Sequence, residues 1–163
     1  MKDEYNIIDN FLSDKDFIEL KKFLTSANMA WYYNEKINSH HQKEDLTCYF
    51  THNFFSNSNQ SFCFKYLLPI LNKLNFKSLI RVKGNLYPKT NKLEIHRPHI
   101  DYNFVHKASI FYVNTNDGFT ILENGTKIKS VENRMLFFDA SKLHKSTNTT
   151  NEKARININF NYF

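Results

Sequence analysis

Residues 94–101 read Glu-Ile-His-Arg-Pro-His-Ile-Asp and contain two side chains that could hold a metal ion. On an extended strand, His99 and Asp101 project to the same face because side chains alternate with a period of two. An imidazole and a carboxylate on one face supply two of the three ligands of a facial triad, which leaves open positions on the metal. A His-x-Asp pair alone is a weak indication, since seven histidines make chance pairs common.

The residues that follow this pair make the pattern more specific. His144 comes after the apolar residues Phe137-Phe138 and a polar turn, so a third candidate ligand arrives from a later strand. Eleven residues further on, Arg155 opens the sequence Arg-Ile-Asn-Ile-Asn-Phe-Asn-Tyr-Phe. The order predicts a metal centre with an anion-binding arginine nearby.

The last strand alternates between polar and apolar residues. One face carries Arg155, Asn157, Asn159 and Asn161, and the other carries Ile156, Ile158, Phe160 and Tyr162. Such a polar face ordinarily points to solvent. In a barrel with a polar active site the orientation of the strand is inverted: its apolar face packs against the N-terminal helices and its polar face lines the cavity. We expect the second arrangement here.

The segment 81–87 repeats this alternation. Lys83, Asn85 and Tyr87 share one face, opposite Val82 and Leu86. In the segment 110–114, Tyr112 shares a face with Ile110. Two tyrosines and an arginine that point into one cavity would form a carboxylate clamp, because arginine offers a bidentate fork and tyrosine a further donor.

The rest of the chain supplies elements that could position these residues. The helical elements come first: Ser13 and Asp16 resemble a capping box, and Phe17, Leu20, Phe23 and Leu24 then recur at helical spacing. We also expect strands over 5–9 and 47–54, a loop or lid over 31–45, and a helix over 62–75 that is kinked or restarted at Pro69.

From Leu79 onward the sequence predicts about eight short strands separated by turn signals such as Asp117-Gly118 and Asn124-Gly125. Helices followed by many strands indicate a mostly β fold, a barrel or sandwich of the jelly-roll type with helices on one sheet. We expect one domain over 1–163, with 1–78 as helical support and lid and 79–163 as the β core.

Composition excludes several classes of function. The formal net charge of +6 is spread over the chain without a basic run, so an anionic partner is allowed but a nucleic-acid-binding protein is disfavoured. No apolar run approaches the length of a membrane span. The N-terminus lacks the apolar region of a secretion signal, and the two cysteines do not form a disulfide framework. We therefore expect a cytoplasmic protein that does not bind membranes.

The remaining histidines have weaker claims as ligands. His96 precedes His99 by three residues, which on a strand places it on the opposite face, so we expect it at the entrance or in a local hydrogen bond. Four others lack a partner at metal-site spacing and are expected on the surface or in loops: His40, His41, His52 and His106. Asp139 is expected in a turn before His144.

The order His-x-Asp, distal histidine and basic residue resembles the double-stranded β-helix oxygenases of the prolyl-hydroxylase type. The similarity extends to Asn85-Leu-Tyr-Pro88, to 111–114 and 117–120, and to the segment 133–139 before the distal histidine. It covers essentially the whole chain. Two departures concern Gly118-Phe119, where a Gly-Gly pair is usual, and Asn159 and Asn161, where the last strand usually carries an aromatic residue.

This resemblance implies an enzyme that uses Fe(II), 2-oxoglutarate and O2 to hydroxylate a C–H bond, with succinate and CO2 as co-products. It implies His99, Asp101 and His144 as iron ligands and Arg155, helped by Tyr112 and Tyr87, as the site of the distal carboxylate of 2-oxoglutarate. Asn85 and Asn157 share those faces and join the candidate co-substrate residues.

The substrate stays open at this point. We favour a peptidyl prolyl-type residue over a nucleotide or an anionic small molecule. The alternatives are a non-catalytic β-helix module that binds or senses a ligand, and an oxygenase directed at nucleotides or nucleic acid.

Overall fold

The computed structural model describes residues 5–35 and 48–163. This part of the chain is mostly antiparallel β-structure, as the sequence predicts. Its strands are β1 (Tyr5–Ile8), β2 (Tyr32–Asn34), β3 (Tyr49–Ser56), β4 (Asn59–Gln60), β5 (Leu79–Pro88), β6 (Lys107–Tyr112), β7 (Phe119–Ile121), β8 (Lys127–Lys129), β9 (Arg134–Asp139) and β10 (Ala154–Tyr162).

The first helix, α1 (Asp14–Leu24), forms where the capping pattern predicts it. The Ser13 hydroxyl accepts a hydrogen bond from the backbone N–H of Asp16 at 3.2 Å, which satisfies one of the free donors of the first turn. Phe17, Leu20 and Leu24 are buried on one face of the helix. This face covers the outer side of the main sheet.

The second helical region is shorter than the helix expected over 62–75, and of the two outcomes expected at Pro69, a kink or a restart, the structure shows the restart. A 3-10 helix over Phe64–Leu67 leads directly into the short helix α2 (Leu68–Leu71). Pro69 lies in the first turn of α2, where its missing N–H costs no intrahelical hydrogen bond. The proline therefore restarts the helix instead of bending it.

The main sheet has the strand order β1-β9-β6-β10-β5-β3-β2, and β4 pairs with β3. At its centre, β10 runs between β5 and β6, with Arg155 opposite Tyr87 and Asn157 opposite both Asn85 and Tyr112. The first half of the chain thus supplies strands at both edges of this sheet as well as the supporting helices. The polar faces of β5 and β10 lie side by side.

The apolar face of β10 packs as predicted. Ile156, Ile158, Phe160 and Tyr162 belong to one core with the buried residues of α1 and α2. Isoleucine and phenylalanine side chains buried in this way supply the main favourable free energy of folding, about 1.5–3 kcal/mol each. The core holds the back of β10 rigidly, and its polar face is left to line the space between the two sheets.

The second sheet is short. β7 pairs with β8, and isolated bridges such as His99 with His144 and Ile121 with Lys145 extend it. From Leu79 onward six regular strands form, instead of about eight. The missing ones are the segments around 95–99 and 144–149, which meet only at single bridges.

The structure describes only part of the region in which the lid, His40 and His41 were predicted. The lid predicted over 31–45 contains β2 at its start, and residues 36–47 lie outside the described residues. His40 and His41 lie in that undescribed range. Within residues 5–35 and 48–163, no helix has the length and apolar character needed to cross a membrane.

Candidate metal centre

The structure brings the three predicted ligands together. His99, Asp101 and His144 each offer one ligand atom, and these atoms lie within 4.8 Å of one another. His99 and His144 form an antiparallel bridge in which each backbone N–H donates to the other's carbonyl at 3.0 Å. That bridge, rather than a continuous strand, places the two imidazoles side by side with ring centroids 4.4 Å apart.

The Asp101 carboxylate is held on several sides. One oxygen accepts from the Arg81 guanidinium at 3.1 Å, and the other accepts from the amides of Asn159 and Asn161 at 2.8 Å each. Burial raises the pKa of Asp101, but Arg81, His144 and the two amides outweigh it, so that the pKa lies below its ordinary value. The carboxylate is therefore ionised and fixed in orientation, as a metal ligand requires.

His99 is in the protonation state that binds metals, and His144 is oriented by a backbone contact. Burial, with the neighbouring His144, lowers the pKa of His99 to about 4, so its ring is neutral at pH 7. His144 places Nδ1 3.1 Å from the carbonyl of Lys142, which leaves Nε2 directed at the cluster. A neutral imidazole whose other nitrogen contacts a carbonyl is the usual metal-binding form.

Arg155 lies behind the cluster and is completely buried. Its guanidinium donates to the hydroxyls of Ser130 at 2.8 Å and Ser146 at 2.7 Å, and more weakly to the carbonyl of Thr147 and the hydroxyl of Thr120 at 3.2 Å. These partners satisfy hydrogen bonds without neutralising the charge. Arginine stays protonated even so, although burial lowers its pKa.

No carboxylate within the described residues forms an ion pair with Arg155; the four ion pairs found there involve other cations or histidine. A buried charge without a counterion costs several kcal/mol. Proteins keep such a group where an anion is to bind, and the guanidinium fork matches a carboxylate. The chemistry of this position therefore fits an anionic ligand.

The two predicted tyrosines flank this guanidinium. Arg155 lies 5.6 Å from the ring centre of Tyr87 and 5.7 Å from that of Tyr112, as in cation–π contacts. The Tyr112 hydroxyl donates to Thr120 at 2.8 Å. The amide of Asn85 donates to Asn157 at 3.0 Å, and this buried pair lines the same cavity as His99, Asp101 and His144.

The loop before β7 requires a glycine at position 118. A Cβ at this position would lie 2.5 Å from Cδ of Arg155 and 2.5 Å from the backbone oxygen of Asn148. No side chain fits between them, because real Cβ contacts are longer than 3.0 Å. The glycine allows the loop to pack directly against the arginine.

Two histidine predictions need correction. His96 is buried, with its ring 5.0 Å from that of Tyr87 and with no hydrogen-bond partner for either ring nitrogen among the described residues, because the irregular segment does not keep strand parity. His52 is buried in β3 and is not a surface or loop residue, whereas His106 lies in a loop, as predicted, although it is buried there. His52 contacts the Ala30 carbonyl and the Ser61 hydroxyl, and His106 contacts the Phe104 carbonyl.

Asp139 behaves as predicted, whereas three other residues near the site were not predicted from the sequence. Asp139 accepts from the backbone and hydroxyl of Ser141, so it is a turn residue as predicted. The role of Arg81 at Asp101 was missed, although it shares the strand parity of Lys83 and Asn85. Ser130 and Thr120 were missed too, and no sequence signal marks their approach to Arg155, which depends on how distant strands pack.

Volume alone does not locate this site. A cavity of about 620 Å³ lies on the apolar side of the sheet, against Trp31, Leu86 and Ile156. The cavity at the metal cluster is narrow, about 50 Å³, but His99, Asp101 and His144 all line it. The polar groups that converge on the smaller cavity, and not its size, identify it as the candidate site.

No protein-family model matches the chain, and a search of curated proteins finds no match. Solved structures do resemble it. The viral collagen prolyl hydroxylase of Paramecium bursaria Chlorella virus-1, solved with 2-oxoglutarate, has a TM-score of 0.66 at 15% identity, over 98% of this chain and 96% of that one.

Two further structures extend the comparison. The Trichoplax adhaerens prolyl hydroxylase, in complex with a hypoxia-inducible-factor peptide, has a TM-score of 0.70 at 14% identity, over 99% of this chain and 84% of that one. HygX of Streptomyces hygroscopicus, solved with nickel, 2-oxoglutarate and hygromycin B, has a TM-score of 0.61 at 10% identity, over 98% and 82%. Over nearly its whole length, the chain has the double-stranded β-helix fold of the 2-oxoglutarate–Fe(II) oxygenases.

Proposed function

We propose that the chain is an Fe(II)- and 2-oxoglutarate-dependent dioxygenase that hydroxylates a C–H bond. The observation that carries this proposal is a buried arginine, Arg155, that has no counterion among the described residues and lies behind a cluster of two histidines and one aspartate. A dicarboxylic co-substrate would join the two, since one end can bind a metal and the other can neutralise the arginine.

The donor set fits iron. Two imidazoles and one carboxylate with open positions are typical of the Fe(II) oxygenases. His99, Asp101 and His144 would hold the metal, which with 2-oxoglutarate and O2 supplies the oxidising chemistry and yields succinate and CO2. The protein contributes the ligand geometry, with Asp101 held ionised by Arg81, Asn159 and Asn161.

The co-substrate would be positioned by the other end of the cavity. Arg155 would bind the distal carboxylate, and Tyr87 and Tyr112 keep water away from that ion pair. Asn85 and Asn157 form the wall along which the carbon chain would lie. Exclusion of water strengthens the charge pairing, since electrostatic interactions are larger in a low-dielectric environment.

The substrate is a finer question. A peptidyl prolyl-type residue is our first candidate, supported by the fold shared with prolyl hydroxylases, one of them in complex with a peptide. The likeness to HygX, in complex with hygromycin B, keeps a small-molecule substrate as the alternative. Protein partners, and a cytoplasmic location, also remain predictions.

The direct test is turnover of the co-substrate. Anaerobically purified protein is loaded with Fe(II) and 2-oxoglutarate, O2 is admitted, and succinate is measured. We expect slow, uncoupled succinate formation that His144→Ala abolishes together with metal binding. A non-catalytic β-helix module would bind metal and 2-oxoglutarate without forming succinate, and that result would overturn the proposal.

A further inference from the structure

Lys83 has a charge that the proposed reaction does not use. It lies on β5 between Arg81 and Asn85, on the face that lines the metal-cluster cavity. The side chain is partly buried, and its ammonium group lies 5.9 Å from the ring centre of Tyr49. Within the described residues it forms no ion pair with a carboxylate.

The position of Lys83 along the strand separates it from the arginine that would bind the co-substrate. Lys83 pairs in register with Asn159, which holds Asp101, whereas Tyr87 pairs with Arg155. Lys83 and Tyr87 are four positions apart on β5, a distance of roughly 13 Å at about 3.3 Å per residue. Lys83 is therefore at the metal end of the cavity, opposite the end of Arg155.

The charges at this end do not balance. Lys83 and Lys145 line the cavity, and Arg81 stands beside it, while Asp101 is the single carboxylate among its described lining residues. Only one carboxylate of 2-oxoglutarate would lie at the divalent metal, since the other would pair with Arg155, so the co-substrate offsets only part of the metal's charge. With both bound, the metal end keeps an excess of positive charge, which attracts an anion and disfavours a neutral or cationic molecule.

We infer that the Lys83 ammonium group binds an anionic group, a carboxylate or a phosphate, on the primary substrate. This inference rests on the proposed function, because it places the substrate at a metal centre that already holds 2-oxoglutarate. It narrows the substrate class: the oxidised carbon lies within a few bonds of a negative charge. A neutral prolyl segment without a neighbouring acidic group does not meet this requirement.

Small anions test the inference without knowledge of the substrate. The protein is loaded with Co(II) and saturated with 2-oxoglutarate, so that Arg155 is occupied. Inorganic phosphate or acetate is then titrated, and the paramagnetic relaxation of the phosphate ³¹P or acetate ¹H nuclei is measured. We expect saturable relaxation by the metal for at least one anion, and which anion responds distinguishes a phosphate from a carboxylate substrate.

Matched variants assign the effect to Lys83. Lys83→Met should weaken anion binding roughly tenfold, as expected for loss of one charged hydrogen bond. Lys83→Arg should retain the binding, and Lys22→Met, an equal loss of charge on the exposed side of α1, should not change it. Calorimetry of 2-oxoglutarate binding should give the same Kd in all four proteins.

Three outcomes would overturn the inference: neither anion is relaxed by the metal, Lys83→Met behaves as the wild type, or Lys83→Met weakens 2-oxoglutarate binding instead. The last would make Lys83 a co-substrate residue. Failure of the proposed function is distinguishable from all three, because it is measured without added anion: the wild type then forms no succinate, or does not bind Co(II) and 2-oxoglutarate at all.

Discussion

Arg155 and Arg81 lie on the cavity faces of the adjacent strands β10 and β5, toward opposite ends of one site. Arg81 forms an ion pair with Asp101 at 3.1 Å. Among the described residues, Arg155 is bonded only to hydroxyl and carbonyl groups, and it is more deeply buried. Arg81 is thus paired within the protein and orients the proposed metal ligand Asp101, whereas Arg155 keeps its charge for the proposed anionic co-substrate.

The polar face of β10 thus has different surroundings at its two ends. Alternation along β10 places Arg155, Asn157, Asn159 and Asn161 in one row, but their partners differ along the strand. At one end neutral hydroxyls hold a cation in place without cancelling it. At the other end amides and Arg81 stabilise an anion, Asp101. Substitutions at each end should therefore change different binding constants.

The largest effect is expected at the paired end. Asp101→Asn changes a proposed metal ligand and removes the counterion of Arg81, and metal affinity should fall about 100-fold or more, since even outer partners of ligands contribute about 10–100-fold. Co(II) titration measures it. Asp9→Asn is the matched control, because Asp9 pairs with Arg134 far from the cluster. Equal metal affinity in Asp101→Asn and the wild type would remove Asp101 from the site.

A smaller loss is expected when the support of that carboxylate is weakened. Asn161→Ala removes one of two amide donors to the same oxygen of Asp101, and metal affinity should fall about tenfold. Asn28→Ala, at an exposed position, should have no effect. If 2-oxoglutarate affinity of the metal-loaded protein fell instead, the separation of the two ends would be wrong.

At the unpaired end, Gly118→Ala should have the opposite selectivity. The new methyl group overlaps Cδ of Arg155, so 2-oxoglutarate binding should weaken several-fold while metal affinity is retained, and stability should fall by about 1–3 kcal/mol. Calorimetry and urea unfolding measure these. Gly125→Ala is the control: it has a positive φ of 84° but open space around it. It should lose stability without any change in co-substrate binding.

The smallest effect is expected at Asp117, whose carboxylate accepts hydrogen bonds from the hydroxyls of Thr149 and Thr150. Burial raises the pKa of this carboxyl, but hydrogen bonds from Thr150 and Thr149 outweigh it and hold the pKa at about 2. A lowered pKa stabilises the fold above the unfolded value of 3.8, and this contribution disappears as pH falls toward 2. Asp117→Asn should cost about 1 kcal/mol or less, since the residue is exposed.

Urea unfolding at several pH values checks this sign. The stability difference between the wild type and Asp117→Asn should be constant at pH 5–7 and shrink as the pH falls from about 4 to 2. A difference that grows on acidification would contradict the assignment of Asp117 as an ionised hydrogen-bond acceptor.

Sequence reasoning predicted the fold class, the convergence of His99, Asp101 and His144, and the inward-facing side of β10 that carries Arg155, because strand parity and residue order are local signals. It failed where the packing of distant segments determines which residues are buried or paired. His52 is buried by contacts with distant segments. The support of Asp101 by Arg81 joins β5 to a loop 20 residues away, and such a pair cannot be chosen from several by spacing alone.

The irregular segment around residues 95–101 gives the clearest lesson. Parity on a strand correctly grouped His99 with Asp101, but it wrongly placed His96, since single bridges at Ile95 and His99 replace a continuous strand. The relation between residues two positions apart was therefore more secure than that between residues three apart.

The central claim is that Arg155 binds the distal carboxylate of a 2-oxo acid held at the metal cluster. Calorimetry with Co(II)-loaded protein tests it by comparing 2-oxoglutarate with 2-oxopentanoate, which lacks that carboxylate, in the wild type and in Arg155→Met. The wild type should bind 2-oxoglutarate about 100-fold more tightly, and Arg155→Met should remove most of that preference while binding 2-oxopentanoate nearly as well. An equal preference for 2-oxoglutarate in both proteins would contradict the claim.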